Sequence, residues 1–232
     1  MNAKDEDFQK RREAARAKLS ELPGNDSPDA AGRRHFFDAV YERAAGDEAA
    51  IPWADLEAKP ELLSYLADHP GKGRRALDIA CGLGDNAEAL DNAGYTTFAF
   101  DIAEEAIAWA KKRFPETAVS YETADLFNPP ESWTQGFDMV HECYTLQALP
   151  PEGIDETARA ICRLVAPGGT LLVYSRTRPD GADADGPPWP LEEKNLRLPE
   201  RFGLTQVSDK RFSISRGDRV IDHSFAVWHR PA

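Results

Sequence analysis

The sequence predicts an α/β fold, a doubly wound and mostly parallel sheet of seven strands that ends in an antiparallel hairpin. Short apolar runs alternate with helical patterns between residues 75 and 175, which is the order of a parallel sheet. The first run enters a glycine turn that leads directly into a helical pattern. The last two runs follow one another with no helix between them, which is typical of a hairpin.

Each element has its own signal. Strands are predicted at residues 76–80, 95–101, 119–122, 137–143, 170–175, 204–215 and 220–228. Helices of the sheet are predicted after the glycine turn and at residues 103–114, 154–165 and, weakly, 191–202. The hairpin turns at Gly217-Asp218. Residues 176–190 form a loop rich in Asp, Gly and Pro, and structureless loops of this length are usually functional or mobile.

Residues 1–70 are predicted to form an N-terminal helical cap, and residues 71–232 the ligand-binding domain. Residues 1–22 carry a thin apolar stripe. They are predicted to form either a surface helix or a solvated arm, and the sequence supports the two about equally. A second helix is predicted at residues 33–45, with an aromatic face. Trp53 follows in a loop, where it could anchor packing or wall a ligand pocket.

Composition and charge argue against several classes of protein. The net charge of −12 argues against a nucleic-acid surface, which needs a basic footprint. The three cysteines have no C-x-x-C spacing, so neither a disulfide framework nor a metal site is predicted. No secretory signal and no apolar run of about 18 residues is found. We therefore expect a cytoplasmic monomer or homodimer with no membrane partner.

The glycine turn is typical of a nucleotide-like ligand. Gly82, Gly84 and Ala87 satisfy the dinucleotide pattern Gly-x-Gly-x-x-Ala. Asp101 ends the next predicted strand, where an acid binds ribose hydroxyls. Because a nicotinamide dinucleotide and S-adenosylmethionine both carry a ribose, the turn alone leaves both ligands open.

Four features together resemble the class I S-adenosylmethionine-dependent methyltransferases. They are the loop at residues 77–84 with Ala80 where the family has a glycine, Asp101-Ile102 after the second strand, Asp125-Leu126 after the third, and Pro167-Gly168-Gly169 before the fifth. The closing hairpin also matches the family. The resemblance implies a Rossmann-like methyltransferase fold with S-adenosyl-L-methionine as its cofactor.

The resemblance also implies a set of cofactor contacts. They are Asp78, Ala80, Cys81, Gly82, Gly84, Asn86, Asp101, Ile102, Asp125, Leu126 and Glu142. In this assignment the loop backbone lies against the methionine and ribose, and Asp78 orients the methionine amino group. Asp101 accepts from the ribose hydroxyls, and Ile102 and Asp125 contact adenine. Glu142 lies at the mouth that faces the sulfonium.

The methyl acceptor is predicted to be a small molecule in an aromatic-lined pocket. A weaker resemblance to thiol, thiopurine and halide methyltransferases rests on Pro52-Trp53-Ala54-Asp55 and Gly186-Pro187-Pro188-Trp189. The candidate catalytic residues are His141, Tyr144 and Trp53. The further pocket candidates are Phe37, Tyr41, Gln147 and Trp189, with His223 as a second possible base. A soft or anionic acceptor would need no base, whereas an alcohol, amine or phenol could need one.

Two rival functions belong to other classes. One is a nicotinamide-dependent oxidoreductase of Rossmann type. It is disfavoured by Asp125, by the Pro167-Gly168-Gly169 turn and by the closing hairpin. The other is a protein of methyltransferase fold that binds the cofactor without transferring methyl. A loop at Asn128-Pro129-Pro130 resembles that of amino-methyltransferases acting on DNA or protein, but it follows the wrong strand.

Overall fold

A computed structural model describes residues 6–25, 27, 30–184, 186–216 and 219–232 of the chain. Within these residues, seven strands form one sheet of order β3-β2-β1-β4-β5-β7-β6. The strands are β1 Arg75–Ile79, β2 Thr96–Asp101, β3 Ser120–Thr123, β4 Phe137–Cys143, β5 Val165–Arg176, β6 Thr205–Arg216 and β7 Arg219–His229. The pairs from β3 to β5 are parallel, and β7 is antiparallel to both β5 and β6. The predicted fold class is confirmed.

Helices cover the sheet and extend the chain before it. They are α1 Glu6–Arg16, α2 Ala30–Ala44, α3 Pro60–Asp68, α4 Asp85–Asn92, α5 Glu104–Arg113, α6 Ile154–Cys162, α7 Glu193–Leu196 and α8 Leu198–Arg201. The predicted weak helix at residues 191–202 is two short helices, because Pro199 lacks an N–H group and lies in the first turn of a new helix. β5 starts at Val165, where the sixth helix was predicted to continue. The predicted Gly217-Asp218 turn lies outside the described residues.

The central strands β1 and β4 are buried on both faces, which is why they are nearly continuous apolar runs. One face packs Leu77, Val140 and Leu171 against α6. The opposite face packs Ala76 and Met139 against helices α3 and α4. Strand order reverses direction at β1, whose neighbours are β2 and β4. In open α/β sheets a ligand crevice lies outside the carboxyl ends of the strands at such a switch point.

The N-terminal segment packs directly against the glycine loop. Phe36, Val40 and Tyr41 of α2 share one buried cluster with Leu83 of the loop and Ala106 of α5. The predicted first helix is present as α1. The domain boundary at residue 70 stays a prediction. No helix in the part of the chain that the structure describes is long and apolar enough to cross a bilayer.

Candidate active site

The glycine loop joins β1 to α4 in a left-handed backbone conformation. The φ angles of Ala80, Gly82 and Gly84 are 50°, 54° and 92°. The Cys81 N–H donates to the Phe100 carbonyl over 2.9 Å, which ties the loop to β2. Glycine adopts such φ values freely, whereas Ala80 does so at a cost of about 1 kcal/mol. Gly84 is the N-cap of α4, so the free N–H groups of that helix begin in the loop.

Asp101 holds the glycine loop from the end of β2. Its Oδ2 accepts the Gly82 N–H over 3.0 Å, and its Oδ1 accepts the Ala103 N–H over 3.0 Å. Burial raises the pKa of the Asp101 carboxyl to about 6, although these backbone donors oppose the rise. A carboxylate has about four lone-pair sites, so acceptor capacity remains for hydroxyl donors.

Asp78 and His141 form a buried pair between neighbouring strands. They are direct partners in the parallel register of β1 and β4, and Asp78 Oδ1 lies 2.7 Å from His141 Nδ1. His141 is fully inaccessible and Asp78 is 1% exposed. Asp78 Oδ2 and His141 Nε2 are buried with no hydrogen-bond partner among the described residues. A carboxylate only accepts, so Nδ1 donates in this pair and His141 orients Asp78.

Glu142 lies beside this pair in β4 and is fully buried. Its Oε2 accepts the N–H groups of Thr145 and Leu146 over 2.8 and 3.3 Å, which holds the turn after β4. Burial raises the pKa of the Glu142 carboxyl to about 8. The structure places this side chain inside the protein, not at an open mouth, so its contact with a sulfonium stays a prediction.

Three further predicted cofactor residues have local structural partners. Asp125 Oδ1 accepts the Phe127 N–H over 2.9 Å, and the Leu126 carbonyl accepts from Arg163 Nη2 over 3.1 Å. Asn86 Oδ1 accepts the N–H of Lys59 over 3.0 Å, immediately before α3. Cofactor roles for these residues, and for the half-buried Ile102 and Cys81, stay predictions.

Trp53 belongs to an aromatic cluster that reaches the glycine loop. Its ring packs edge-on against Phe37 with centroids 5.6 Å apart, and its Nε1 donates to the Tyr41 hydroxyl over 3.2 Å. That hydroxyl lies 3.5 Å from where a Cβ on Gly82 would be. Trp53 is therefore a packing residue for Tyr41. Whether it also walls an acceptor pocket stays a prediction.

Tyr144 follows β4 in a left-handed conformation, with a φ of 66°. Bulky residues with positive φ are strained, and such strain is concentrated at functional sites. The Tyr144 hydroxyl lies 3.1 Å from His223 Nε2, and His223 Nδ1 lies 2.8 Å from the Ile221 carbonyl. Because a carbonyl only accepts, Nδ1 carries the hydrogen and Nε2 accepts from Tyr144.

Two cations beside Tyr144 were not predicted from the sequence. Lys59 Nζ lies 5.0 Å from the centre of the Tyr144 ring, and Arg176 Cζ lies 5.4 Å from it. Lys59 is 8% exposed and forms an ion pair with Asp55. Lys59 lies at the start of α3 and Arg176 at the end of β5, so only the packing of these two elements brings the two cations to Tyr144.

The loop at residues 176–190 returns to the turn after β4. The Trp189 N–H donates to the Gln147 carbonyl over 2.9 Å, and Gln147 Oε1 accepts the N–H of Arg176 over 2.7 Å. Tyr144, Gln147 and Trp189 are thus gathered around the end of β5. A cavity of about 670 Å³ lies beside Trp189 and is also lined by Arg178. Across the described ranges, no group of three or more His, Cys, Asp or Glu residues could hold a metal ion.

Fold and site together define the class of protein. A glycine loop at the switch point, an acid at the end of β2 and an antiparallel β7 between β5 and β6 are the fold of a class I methyltransferase. Residues 76–169 match a family model described as a methyltransferase domain. Residues 76–169 thus match a methyltransferase domain, and the fold around them is that of the class I methyltransferases, the class that uses S-adenosylmethionine as its cofactor.

Individual relatives agree with this class. The chain is 30% identical over 150 residues to the ubiquinone biosynthesis O-methyltransferase of Klebsiella pneumoniae, a match covering 59% of this chain and 61% of that protein. The chain therefore spans about three fifths of the length of the curated relatives it matches.

Solved structures share the fold at lower identity. A 1,6-didemethyltoxoflavin-N1-methyltransferase of Burkholderia thailandensis, bound to 1,6-didemethyltoxoflavin and S-adenosylhomocysteine, is 19% identical with a TM-score of 0.66, covering 89% of this chain and 93% of that one. A structure described as "Conversion of a Disulfide Bond into a Thioacetal Group during Echinomycin Biosynthesis" is 22% identical with a TM-score of 0.67, covering 84% and 92%.

Proposed function

We propose that the protein is an S-adenosylmethionine-dependent methyltransferase that acts on a small-molecule acceptor. The observation that carries the proposal is the bond from the Gly82 N–H to Asp101. This bond joins a left-handed loop at the switch point to a carboxylate that keeps acceptor capacity for two hydroxyl groups.

The buried polar atoms near the loop fit this cofactor. Asp78 Oδ2 has no partner within the described residues and would accept from the methionine amino group. Asp101 would accept from the ribose hydroxyls, and the backbone from Ala80 to Gly84 would lie against the methionine and ribose. When bound, S-adenosylmethionine supplies an electrophilic methyl group on a sulfonium. The protein's contribution is to position the acceptor in line and to exclude water.

A small acceptor, methylated on oxygen, is supported by the relatives. The Klebsiella pneumoniae relative is an O-methyltransferase of ubiquinone biosynthesis, and the match to it covers only part of each chain. The family match ends at residue 169, before the loop at residues 176–190. Acceptor choice is therefore assigned to the residues outside this match that gather near Tyr144, namely Lys59, Arg176 and Trp189. The net charge of −12 disfavours a nucleic-acid acceptor.

The oxidoreductase rival is disfavoured by topology. The classic dinucleotide sheet has the order 3-2-1-4-5-6, whereas here β7 is inserted antiparallel between β5 and β6. The second rival, cofactor binding without methyl transfer, shares every feature of the cofactor loop. Only a measurement of methyl transfer distinguishes this rival from the proposed function.

Calorimetry with S-adenosylmethionine, S-adenosylhomocysteine and NAD tests the proposal first. We expect both sulfur compounds to bind and NAD not to bind. A methyl-transfer screen with labelled cofactor on phenols, carboxylates, amines, thiols and halides follows. NAD binding alone would support the oxidoreductase, and tight cofactor binding without turnover on any acceptor would support the non-catalytic rival.

A further inference from the structure

Arg176 places a cation without a carboxylate partner beside Tyr144. It is the last residue of β5 and the antiparallel partner of His223 in β7, so both side chains leave the same face of the sheet. Its guanidinium carbon lies 5.4 Å from the centre of the Tyr144 ring. Its Nε atom is buried and has no hydrogen-bond partner within the described part of the chain.

The other cations of this region are compensated. Lys59 and Arg12 both pair with Asp55, and Arg178 pairs with Glu192. No ion pair joins Arg176 to a carboxylate in the described ranges, although acidic residues outnumber basic ones by 40 to 28. A buried Nε donor is costly unless a ligand provides the acceptor.

A second unused donor belongs to Gln147, whose side chain binds the backbone of Arg176. The Gln147 amide is oriented by its Oε1, which accepts the Arg176 N–H over 2.7 Å. Its Nε2 is therefore the donor end of the amide, and it is buried without a partner among the described residues. Gln147 is also fully buried, so its amide is held in place.

We propose that Arg176 and Gln147 form an oxyanion subsite that binds a carboxylate of the methyl acceptor. A planar guanidinium matches a carboxylate with two parallel hydrogen bonds, and the amide adds a neutral donor. One uncompensated positive charge suits a monoanion. The subsite lies beside Tyr144, whose hydroxyl is fixed on His223, so the acceptor is anchored where β4 and β5 end. This inference rests on the proposed function and adds the acceptor's class to it.

The test uses the full chain saturated with S-adenosylhomocysteine. Calorimetry compares benzoate with benzamide, 4-hydroxybenzoate with 4-hydroxybenzamide, and phenylacetate with phenylacetamide. We expect at least one carboxylate to bind about tenfold or more tightly than its amide, because charge-assisted bonds to guanidinium are about twice as strong as neutral ones.

Three variants localise that preference. Arg176→Met should abolish it while leaving the affinity for S-adenosylhomocysteine unchanged. Gln147→Glu should also abolish it, because a carboxylate in place of the amide donor would repel the carboxylate of the ligand. Arg197→Met is the matched control, since Arg197 is exposed and paired with Glu200, and it should keep the preference.

The outcomes distinguish failure of the carboxylate subsite from failure of the proposed function. If no carboxylate binds more tightly than its amide, or if either Arg176→Met or Gln147→Glu retains the preference, the subsite is wrong. If the unmodified chain does not bind S-adenosylhomocysteine at all, the proposed function fails first, and the subsite fails with it as an acceptor site.

Discussion

Asp78 and His141 lie on adjacent strands with Oδ1 and Nδ1 2.7 Å apart, and neither side chain is accessible to solvent. A histidine in this position is sealed from an acceptor in the structure and holds a carboxylate at the start of the glycine loop. The geometry thus favours a positioning role, while the predicted role of His141 as a general base stays a prediction.

Substitution of His141 separates these two roles. His141→Leu should weaken S-adenosylhomocysteine binding about tenfold or more, because Asp78 loses a hydrogen bond of about 1.5–3 kcal/mol. His141→Asn keeps a donor close to the position of Nδ1 and should restore much of that affinity. Calorimetry measures both. A positioning role would be contradicted by wild-type cofactor affinity in His141→Leu together with lost turnover in both variants.

Asp101 should make cofactor affinity depend on pH. The pKa of its carboxyl is raised to about 6, so the group is ionised above that pH and protonated below it. A ribose hydroxyl donates to the ionised form, so affinity should fall as pH is lowered from 7 to 5. Asp101→Asn should flatten this dependence, and Asp101→Ala should cost about 2–3 kcal/mol at pH 7.5. A wild-type pH profile in Asp101→Asn would remove Asp101 from the cofactor site.

Two glycines with similar backbone conformations provide a matched pair. Gly82 has a φ of 54° and lies in the loop, whereas Gly168 has a φ of 75° at a site where an added Cβ would meet open space. Alanine at either position should lower the free energy of unfolding by about 1 kcal/mol through backbone strain. Only Gly82→Ala should also weaken S-adenosylmethionine binding. Equal affinities in both variants would show that the ligand does not approach the loop.

Glu142 should make the folded state less stable as pH rises. Its pKa is about 8 when folded and about 4.5 when unfolded, so the folded protein holds the extra proton between these values. Stability from this group is fully present below pH 4.5 and is lost as pH rises through 8. Glu142→Gln, which is neutral throughout, should therefore show a shallower fall in the free energy of unfolding between pH 5 and 8. Chemical denaturation across that range measures the slope, and an unchanged slope would mean that Glu142 titrates normally.

Much of the fold around the glycine loop could be predicted from the sequence, because the sequence signals for its strands, helices and turns lie in neighbouring residues. The alternation of apolar runs and helical patterns indicated the parallel sheet, and a glycine turn between a strand and a helix indicated the loop. Asp101 could be located because it ends β2, the strand that follows the glycine loop and α4. Its bond to the Gly82 N–H follows from the parallel pairing of β1 with β2, which brings the ends of both strands together.

The acceptor side could not be predicted in the same way. Lys59, Tyr144, Arg176 and His223 are far apart in the sequence, and no spacing relates them. Their contacts depend on the register of β5 with β7 and on where α3 packs.

The sequence by itself determined the order of strands and helices, the glycine loop and the acids at the strand ends. Each of these depends on neighbouring residues and on backbone conformation. Only the tertiary structure decided that His141 is buried against Asp78, that Trp53 supports Tyr41, and that Arg176 has no carboxylate partner among the described residues. Burial and charge compensation are properties of the space around a side chain, and segments distant in the sequence fill that space.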